Sequence, residues 1–307
     1  MRTAYISHPD CLRHEMIEGH PECPERIGAI EDRLLATGIF DFLQHHSPPV
    51  ATRWQLRRVH HQEHVQRILS GSPKEGLNHI DPDTYMNPHT TQAARRAAGA
   101  AVLGTDLVIG GKVDNAFCCV RPPGHHAERK EAMGFCFFNN VAVGAAHALT
   151  KHSLERVAIV DFDVHHGNGT EDIFENDKRV LVCSAYQHPF YPYSGRPTMA
   201  GRLVNVELKA GATGKEFREA ITAQWLPELH AFRPRMIFIS AGFDAHVQDD
   251  MAELQLLEHD YTWITREIMA LAEQYAENRI VSVLEGGYNL HALARSVTAH
   301  VKALMRL

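Results

Sequence analysis

The chain has 307 residues, of which 22% are charged and 44% apolar, with a formal net charge of −6 and 22 histidines. This composition excludes a disordered chain, a collagen-like chain and a long coiled coil, and the negative charge offers no broad basic face for nucleic acid. Six cysteines are too few for a disulfide scaffold, so reduced thiols in a cytoplasmic protein are expected. The first ten residues show no apolar signal, and the weakly polar stretch 98–111 is too short to span a bilayer, so no membrane partner is expected.

Short β-branched runs alternate with helical patterns along the chain. Thr3–Ser7 reads as a strand and the Ala-rich segment Thr91–Ile109 as a helix. Strand Ala116–Val120, helix Asn139–Thr150 and strand Val157–Asp161 follow. Strand Val180–Ser184 leads into a turn-rich loop, 185–203, with aromatics suited to binding. Helix Lys215–Phe232, strand Met236–Ser240, helix Glu258–Asn278, strand Ile280–Leu284 and helix Leu290–Leu307 complete the order. Nearly continuous apolar strands alternating with helices predict a three-layer, doubly wound α/β fold with a mainly parallel sheet. No repeat or linker divides residues 1–307, so one domain is expected.

The polar residues gather just past strand ends, where open α/β sheets bind ligands. RPPGHHA follows the strand at 116–120, DFDVHHGNGT closes the one at 157–161, and Ser184 closes the next. GFDAH (242–246) and EGGY (285–288) follow the last two strands. Asp163 and His165 are two apart, so on an extended segment they point the same way. With Asp244 they form a set of two carboxylates and one imidazole, which suits a catalytic divalent ion such as Zn²⁺. An isolated D-x-H is ordinarily a turn or capping pair. Here the strand-end placement and Gly167, Gly169 and Gly242, which permit close backbone packing, favour a metal. His125 and His126 are candidates for proton transfer. Asp161 is placed to orient an imidazole. Tyr288, after two glycines, is a candidate oxyanion donor, although a lone tyrosine there is more often a packed turn residue.

These stretches, with GFCFFNNVAVGA (134–145) and HPECPERI (20–27), resemble the zinc-dependent histone deacetylases and their bacterial deacetylase-like amidohydrolase relatives, nearer the class II branch. The resemblance covers essentially the whole chain in order. It implies the arginase/deacetylase-like fold, one zinc ion on Asp163, His165 and Asp244, and catalytic roles for His125, His126, Asp161 and Tyr288. It implies a substrate tunnel walled by Phe135 and Tyr191, with Gly134 also substrate-binding, Met251 near the rim, Asp83 on a loop that contacts substrate backbone, and Arg26 near an acetate exit pocket. It further implies a structural potassium ion near Asp161, Asp163, His165, Ser184 and Ala185. The sequence departs from the pattern in places. Asn168 stands where class I members have an Asp beside the second histidine. Tyr191 replaces a Phe, and Met251 lies near the rim position where one polyamine-selective relative has Glu.

The expected activity is removal of an acetyl or short acyl group from an acetylated lysine side chain or an acetylated small amine, acetylpolyamines being the alternative. Which histidine protonates the leaving amine is left open, and an oligomer is possible. Three other readings compete. His60-His-Gln-Glu-His64 matches the inverted zinc-protease pattern H-x-x-E-H, but its polar, basic context reads as a surface helix. A binuclear ureohydrolase needs more bridging aspartates than Asp244 followed by His246. A catalytically weak acyl-lysine binding module would not need the complete set present here.

Overall fold

A computed structural model describes residues 1–307. Its elements in chain order are β1 (Thr3–Ile6), α1 (Glu25–Ala36), β2 (Gln44–His46), α2 (Arg53–Leu56), α3 (Gln62–Leu69), β3 (Asn78–Asp81) and β4 (Thr84–Met86). Then come α4 (Thr90–Ile109), β5 (Asn115–Cys118), α5 (Asn140–Lys151), β6 (Val157–Asp161), α6 (Asn168–Phe174), β7 (Val180–Gln187) and β8 (Leu203–Leu208). The last five are α7 (Gly214–Phe232), β9 (Ile237–Ala241), α8 (Glu258–Tyr275), β10 (Ile280–Leu284) and α9 (Leu290–Met305).

Eight strands form one sheet in the order β2-β1-β5-β10-β9-β6-β7-β8, with every pairing parallel. Strands β5, β6, β9 and β10 are buried at every residue, as expected when helices cover both faces. Helices α4 and α5 pack on each other and on the central strands, while α1, α9, α8 and α7 pack in succession. One continuous apolar core of 84 buried residues runs through all three layers. No helix is long and apolar enough to cross a membrane.

All six expected strands are present, and two more flank them. β2 is a three-residue polar edge strand, QHH, with almost no apolar signal. β8 forms the opposite edge and takes up the end of the expected loop 185–203. Ala185, Tyr186 and Gln187 continue β7 because they pair with Val206, Glu207 and Leu208, so the loop is 188–202. Helix ends shift where capping decides them. Asn139 is the cap of α5, its side chain accepting from the Ala142 N–H, and Thr213 with Glu216 forms a capping box that starts α7 at Gly214. α8 ends at Tyr275, before Glu277 and Asn278, which both take positive φ, and α9 ends at Met305.

A buried ion cluster ties the N-terminal segment under the strand ends. Glu22 accepts from Arg121 Nε at 2.5 Å and Nη2 at 2.7 Å, and from Arg26 Nη1 at 3.1 Å. Arg121 also donates to the carbonyls of Cys11 and His14. All three charged side chains are fully buried. Burial works against the Glu22 carboxylate, but Arg121, His14 and Arg26 hold its pKa well below the ordinary value. Glu22→Ala leaves two buried guanidinium groups short of their counter-charge, so a loss of about 3–5 kcal/mol in chemical denaturation is expected. Stability within about 0.5 kcal/mol of the parent would contradict this role for the cluster.

Candidate active site

The C-terminal ends of β5, β6, β9 and β10 lie side by side, and their extensions form the site. Past β6 the backbone carries Asp161, Asp163 and His165 on alternate residues. Asp161 Oδ1 accepts from Asp163 N–H at 3.1 Å, and Asp163 Oδ1 from His165 N–H at 2.9 Å. Asp244 follows β9, and its Oδ1 accepts from Val164 N–H at 3.0 Å. Gly286 N–H, past β10, donates to Asp163 Oδ2 at 2.9 Å. A Cβ on Gly242 or Gly286 would overlap these carboxylates, so side-chain-free backbone lets the donors converge.

One donor atom from each of Asp163, His165 and Asp244 lies within 4.8 Å of the other two. His165 Nδ1 is 3.0 Å from Asp163 Oδ1 and 3.3 Å from Asp244 Oδ2. The three residues are at most 6% exposed, and Asp244 Oδ2 has no aligned hydrogen-bond donor. Burial and the charge of Asp163 push the Asp244 carboxyl up to about 6. Against burial, the two carboxylates raise His165 to about 9. Two buried carboxylates around one imidazole, with an orphaned oxygen facing inward, fit a divalent cation, and the mixed N/O set fits zinc.

Beside them stand the tandem histidines, with ring centroids 4.0 Å apart. His125 Nδ1 meets Asp161 Oδ2 at 2.9 Å, as expected of Asp161. Burial alone would lower the His125 pKa, but Asp163 and Asp161 hold it well above the ordinary value. His126 Nδ1 meets Asn168 Oδ1 at 2.7 Å. The Asn168 amide is fixed in that sense because its Nδ2 donates to Glu128 Oε1 at 2.7 Å. His126 Nδ1 therefore carries the proton, which leaves Nε2 free to accept one. Burial and the neighbouring His125 and His165 hold the His126 pKa well below the ordinary value. Two adjacent imidazoles are thus set to opposite protonation states.

A narrow cavity of about 220 Å³ leads to these groups, lined by Asp83, His126, Gly134, Phe135, His165, Phe190, Tyr191, Met251 and Tyr288. Phe135 meets the Tyr288 ring edge-on at 5.9 Å. Opposite, Phe190 stacks on His165 at 5.5 Å and Tyr191 meets His126 edge-on at 5.2 Å. Gly134 and Phe135 both take positive φ in a tight turn closed by Met133 and Cys136, which aims the Phe135 ring inward. Burial and nearby Asp244 push the Tyr288 hydroxyl well above its ordinary pKa, so it stays a donor. Asp83 and Tyr191 also border an outer groove of about 680 Å³ that runs on from the mouth. Burial and nearby Asp81 raise Asp83 to about 6.

Arg26 lies beneath Tyr288 rather than in the tunnel wall. Its guanidinium sits 5.0 Å from the ring centroid and donates to Gly287 O, Glu285 O and Glu22. Ser184 pairs with Asp161 across β6 and β7, with Ala185 next along the strand. The H-x-x-E-H stretch leads into the surface helix its context suggested, α3, but its first and last histidines face inward. His60 and His64 are buried and neutral, with pKa values lowered by burial to about 3 and about 4. His60 bridges Glu128 O and Asn139 N–H, His64 binds Phe137 O, and both pin the loop after the tandem histidines. Glu63 points to solvent, its side chain 90% exposed.

Asp106, His147 and His152 form a second histidine–carboxylate group. Arg58 donates to His147 Nδ1 at 2.9 Å, so the proton of that imidazole is on Nε2 and goes to Asp106. This is a hydrogen-bonded charge cluster with the wrong tautomer for a metal donor.

Three functional neighbours escaped the sequence reading. Phe190 stands beside Tyr191 and was readable as a second wall. Glu285 reaches across to the tandem histidines, its Oε2 accepting from Gly124 N–H at 2.6 Å and His125 N–H at 3.1 Å. Its place before Gly286-Gly287 was a usable signal. Asp249 sits in a polar run that carries none.

Known proteins resemble the chain over most of its length. The description "Histone deacetylase domain" matches residues 20–304. A histone deacetylase-like amidohydrolase of Pseudomonas aeruginosa is 37% identical over 88% of this chain and 73% of its own. The polyamine deacetylase HDAC10 of Homo sapiens is 36% identical over 99% of this chain and 48% of its own. The solved HD domain of HDA15 gives a TM-score of 0.94 at 36% identity, covering 99% of this chain and 88% of that one. Fold and relatives together define an amide hydrolase of the deacetylase type with the arginase/deacetylase-like fold. The chain belongs to the histone deacetylase family.

Asp244→Asn removes one charge from the donor set. The variant is expected to purify with far less divalent metal than the parent when both are assayed by metal analysis. Equal metal content would remove Asp244 from the set.

Proposed function

We propose that the chain is a zinc-dependent deacetylase that removes an acetyl or short acyl group from an acetylated lysine side chain or an acetylated small amine. The observation that carries this reading is the pairing of a buried Asp163–His165–Asp244 donor set with a narrow aromatic tunnel ending at His126 and Tyr288. A zinc ion held by the three donors would polarise the acyl carbonyl and lower the pKa of water at the site. A potassium ion would stand where Asp161 and Ser184 are register partners.

The chain's own groups divide the remaining work. The tunnel admits a thin aliphatic stem and excludes bulk water. His126, neutral and with Nε2 free, takes the proton of the attacking water. Of the two histidines only His126 lines the tunnel, so it is also the one placed to return a proton to the leaving amine. His125, its pKa held well above the ordinary value by Asp163 and Asp161, supplies positive charge beside it. The Tyr288 hydroxyl donates to the acyl oxygen as negative charge develops there. The acidic mouth at Asp83 and the polyamine deacetylase relative support a small cationic amine as the second reading. A cytoplasmic location is part of the same proposal, on the ground that six cysteines are too few for a disulfide scaffold.

Turnover of acetyl-lysine peptides, set against acetylputrescine, acetylspermidine and longer acyl chains, tests the reading and ranks its two forms. No hydrolysis of any acylamine by the zinc-loaded chain would contradict it. Tyr288→Phe is expected to lower kcat by about 10²–10³ with metal content unchanged; near-parent turnover contradicts the oxyanion role. The pH profile tests His126. Its neutral form is the active one, so kcat/KM should rise through an acid limb below the ordinary imidazole value of about 6.5. Asn168→Asp adds negative charge, favours the imidazolium and should move that limb up by about 1 unit or more. An unmoved limb would take the acid limb away from His126.

A further inference from the structure

Tyr288 is carried by a turn with little side chain to hold it. Gly286 and Gly287 precede it, and Gly287 stands at φ 120°, a conformation that costs glycine alone little. Such a turn is placed by what its backbone binds. On the donor-set side, Gly286 N–H donates to Asp163 Oδ2 and Gly286 O accepts from Phe243 N–H at 3.0 Å. From beneath, Arg26 Nε donates to Gly287 O at 2.7 Å. The tyrosine's own peptide is held by another group. Asp249 Oδ2 accepts from Tyr288 N–H at 2.6 Å and from Asn289 N–H at 2.9 Å, while its Oδ1 accepts from Met251 N–H at 3.1 Å.

Asp249 is 4% exposed, although Gln248 and Asp250 on either side face solvent. Hydrogen bonds from N–H groups to a carboxylate are about twice as strong as neutral ones. This one carboxylate joins two segments that both line the tunnel: the turn that carries Tyr288 and the loop that brings Met251 to the wall.

We infer that Asp249 is a positioning residue for Tyr288: it clamps the peptide that bears the tyrosine, sets where the hydroxyl meets the acyl oxygen, and ties that position to the Met251 loop. The inference rests on the reading of Tyr288 as the oxyanion donor. Without the clamp the turn stays tied at Gly286 and Gly287, but the peptide that bears Tyr288 loses the acceptor of its N–H. A displacement of about 1 Å at a reacting group can cost about 10²-fold in rate. Asp249 does not itself line the tunnel and hydrogen-bonds none of the three donors, although its charge reaches Asp244; at equal metal content a loss common to Asp249 and Tyr288 therefore acts through Tyr288.

The test compares zinc-loaded Asp249→Ala, Tyr288→Phe and the double variant, each at parent metal content. Asp249→Ala is expected to lower kcat by about 10- to 100-fold with KM within about two-fold of the parent. In the Tyr288→Phe background the same change should cost less than about three-fold, because the group being positioned is gone. Parent kcat for Asp249→Ala, or an equal loss in both backgrounds, overturns the inference. A second readout does not depend on turnover. With 3-fluorotyrosine at 288, the ¹⁹F line should shift or broaden on Asp249→Ala, and an unchanged line overturns the inference. If Tyr288→Phe alone keeps parent turnover, the oxyanion reading fails while the ¹⁹F line still decides the positioning role. Should Asp249→Ala not fold, Asp249→Asn carries the same readouts, with a smaller effect in the same direction.

Discussion

Four carboxylates, Asp161, Asp163, Asp244 and Glu285, are buried at the ends of three adjacent strands, and the rest of the site depends on how their charge is balanced. An unpaired buried carboxylate costs several kcal/mol. The four meet three different answers. Asp161 is matched by the His125 imidazole. Glu285 accepts two backbone N–H groups and the Ser240 hydroxyl. Asp163 and Asp244 share His165 and leave an oxygen without an aligned donor, an arrangement that suits a cation. The glycines beside them are needed because the groups must approach more closely than a Cβ permits.

The same charges explain why two neighbouring histidines differ. His125 faces carboxylates and is held cationic; His126 faces the neutral Asn168 amide and is held neutral. Asp163 and Asp161 raise the one, while burial and the neighbouring His125 and His165 lower the other. Behind them, His60 and His64 staple the loop, and the Glu22–Arg121–Arg26 cluster anchors the floor under Tyr288. The reactive edge is thus held from both sides by buried polar groups that take no part in the chemistry.

Much of this was legible along the chain because the central strands are continuous apolar runs and the chemistry follows each one directly. Asp163, His165, Asp244, His125, His126 and Tyr288 all lie within a few residues of such an end. Features that depend on distant pairing were not legible. β2 has a polar sequence and becomes a strand only because β1 offers it an edge. The extension of β7 to Gln187 follows from its partner β8. His60 and His64 look solvated in their basic context, and only the fold brings the backbone of residues 128–139 to them. Asp249 resembles any acidic loop residue until the turn at 286–289 is laid against it.

We propose that Asp163, His165 and Asp244 together hold one divalent ion on which hydrolysis depends. Titration of the chelator-stripped chain with Zn²⁺, following heat and acetyl-lysine amide hydrolysis in the same samples, addresses it directly. Both signals should rise together and saturate at one equivalent per chain. Full hydrolysis by the stripped chain before any zinc is added would contradict it.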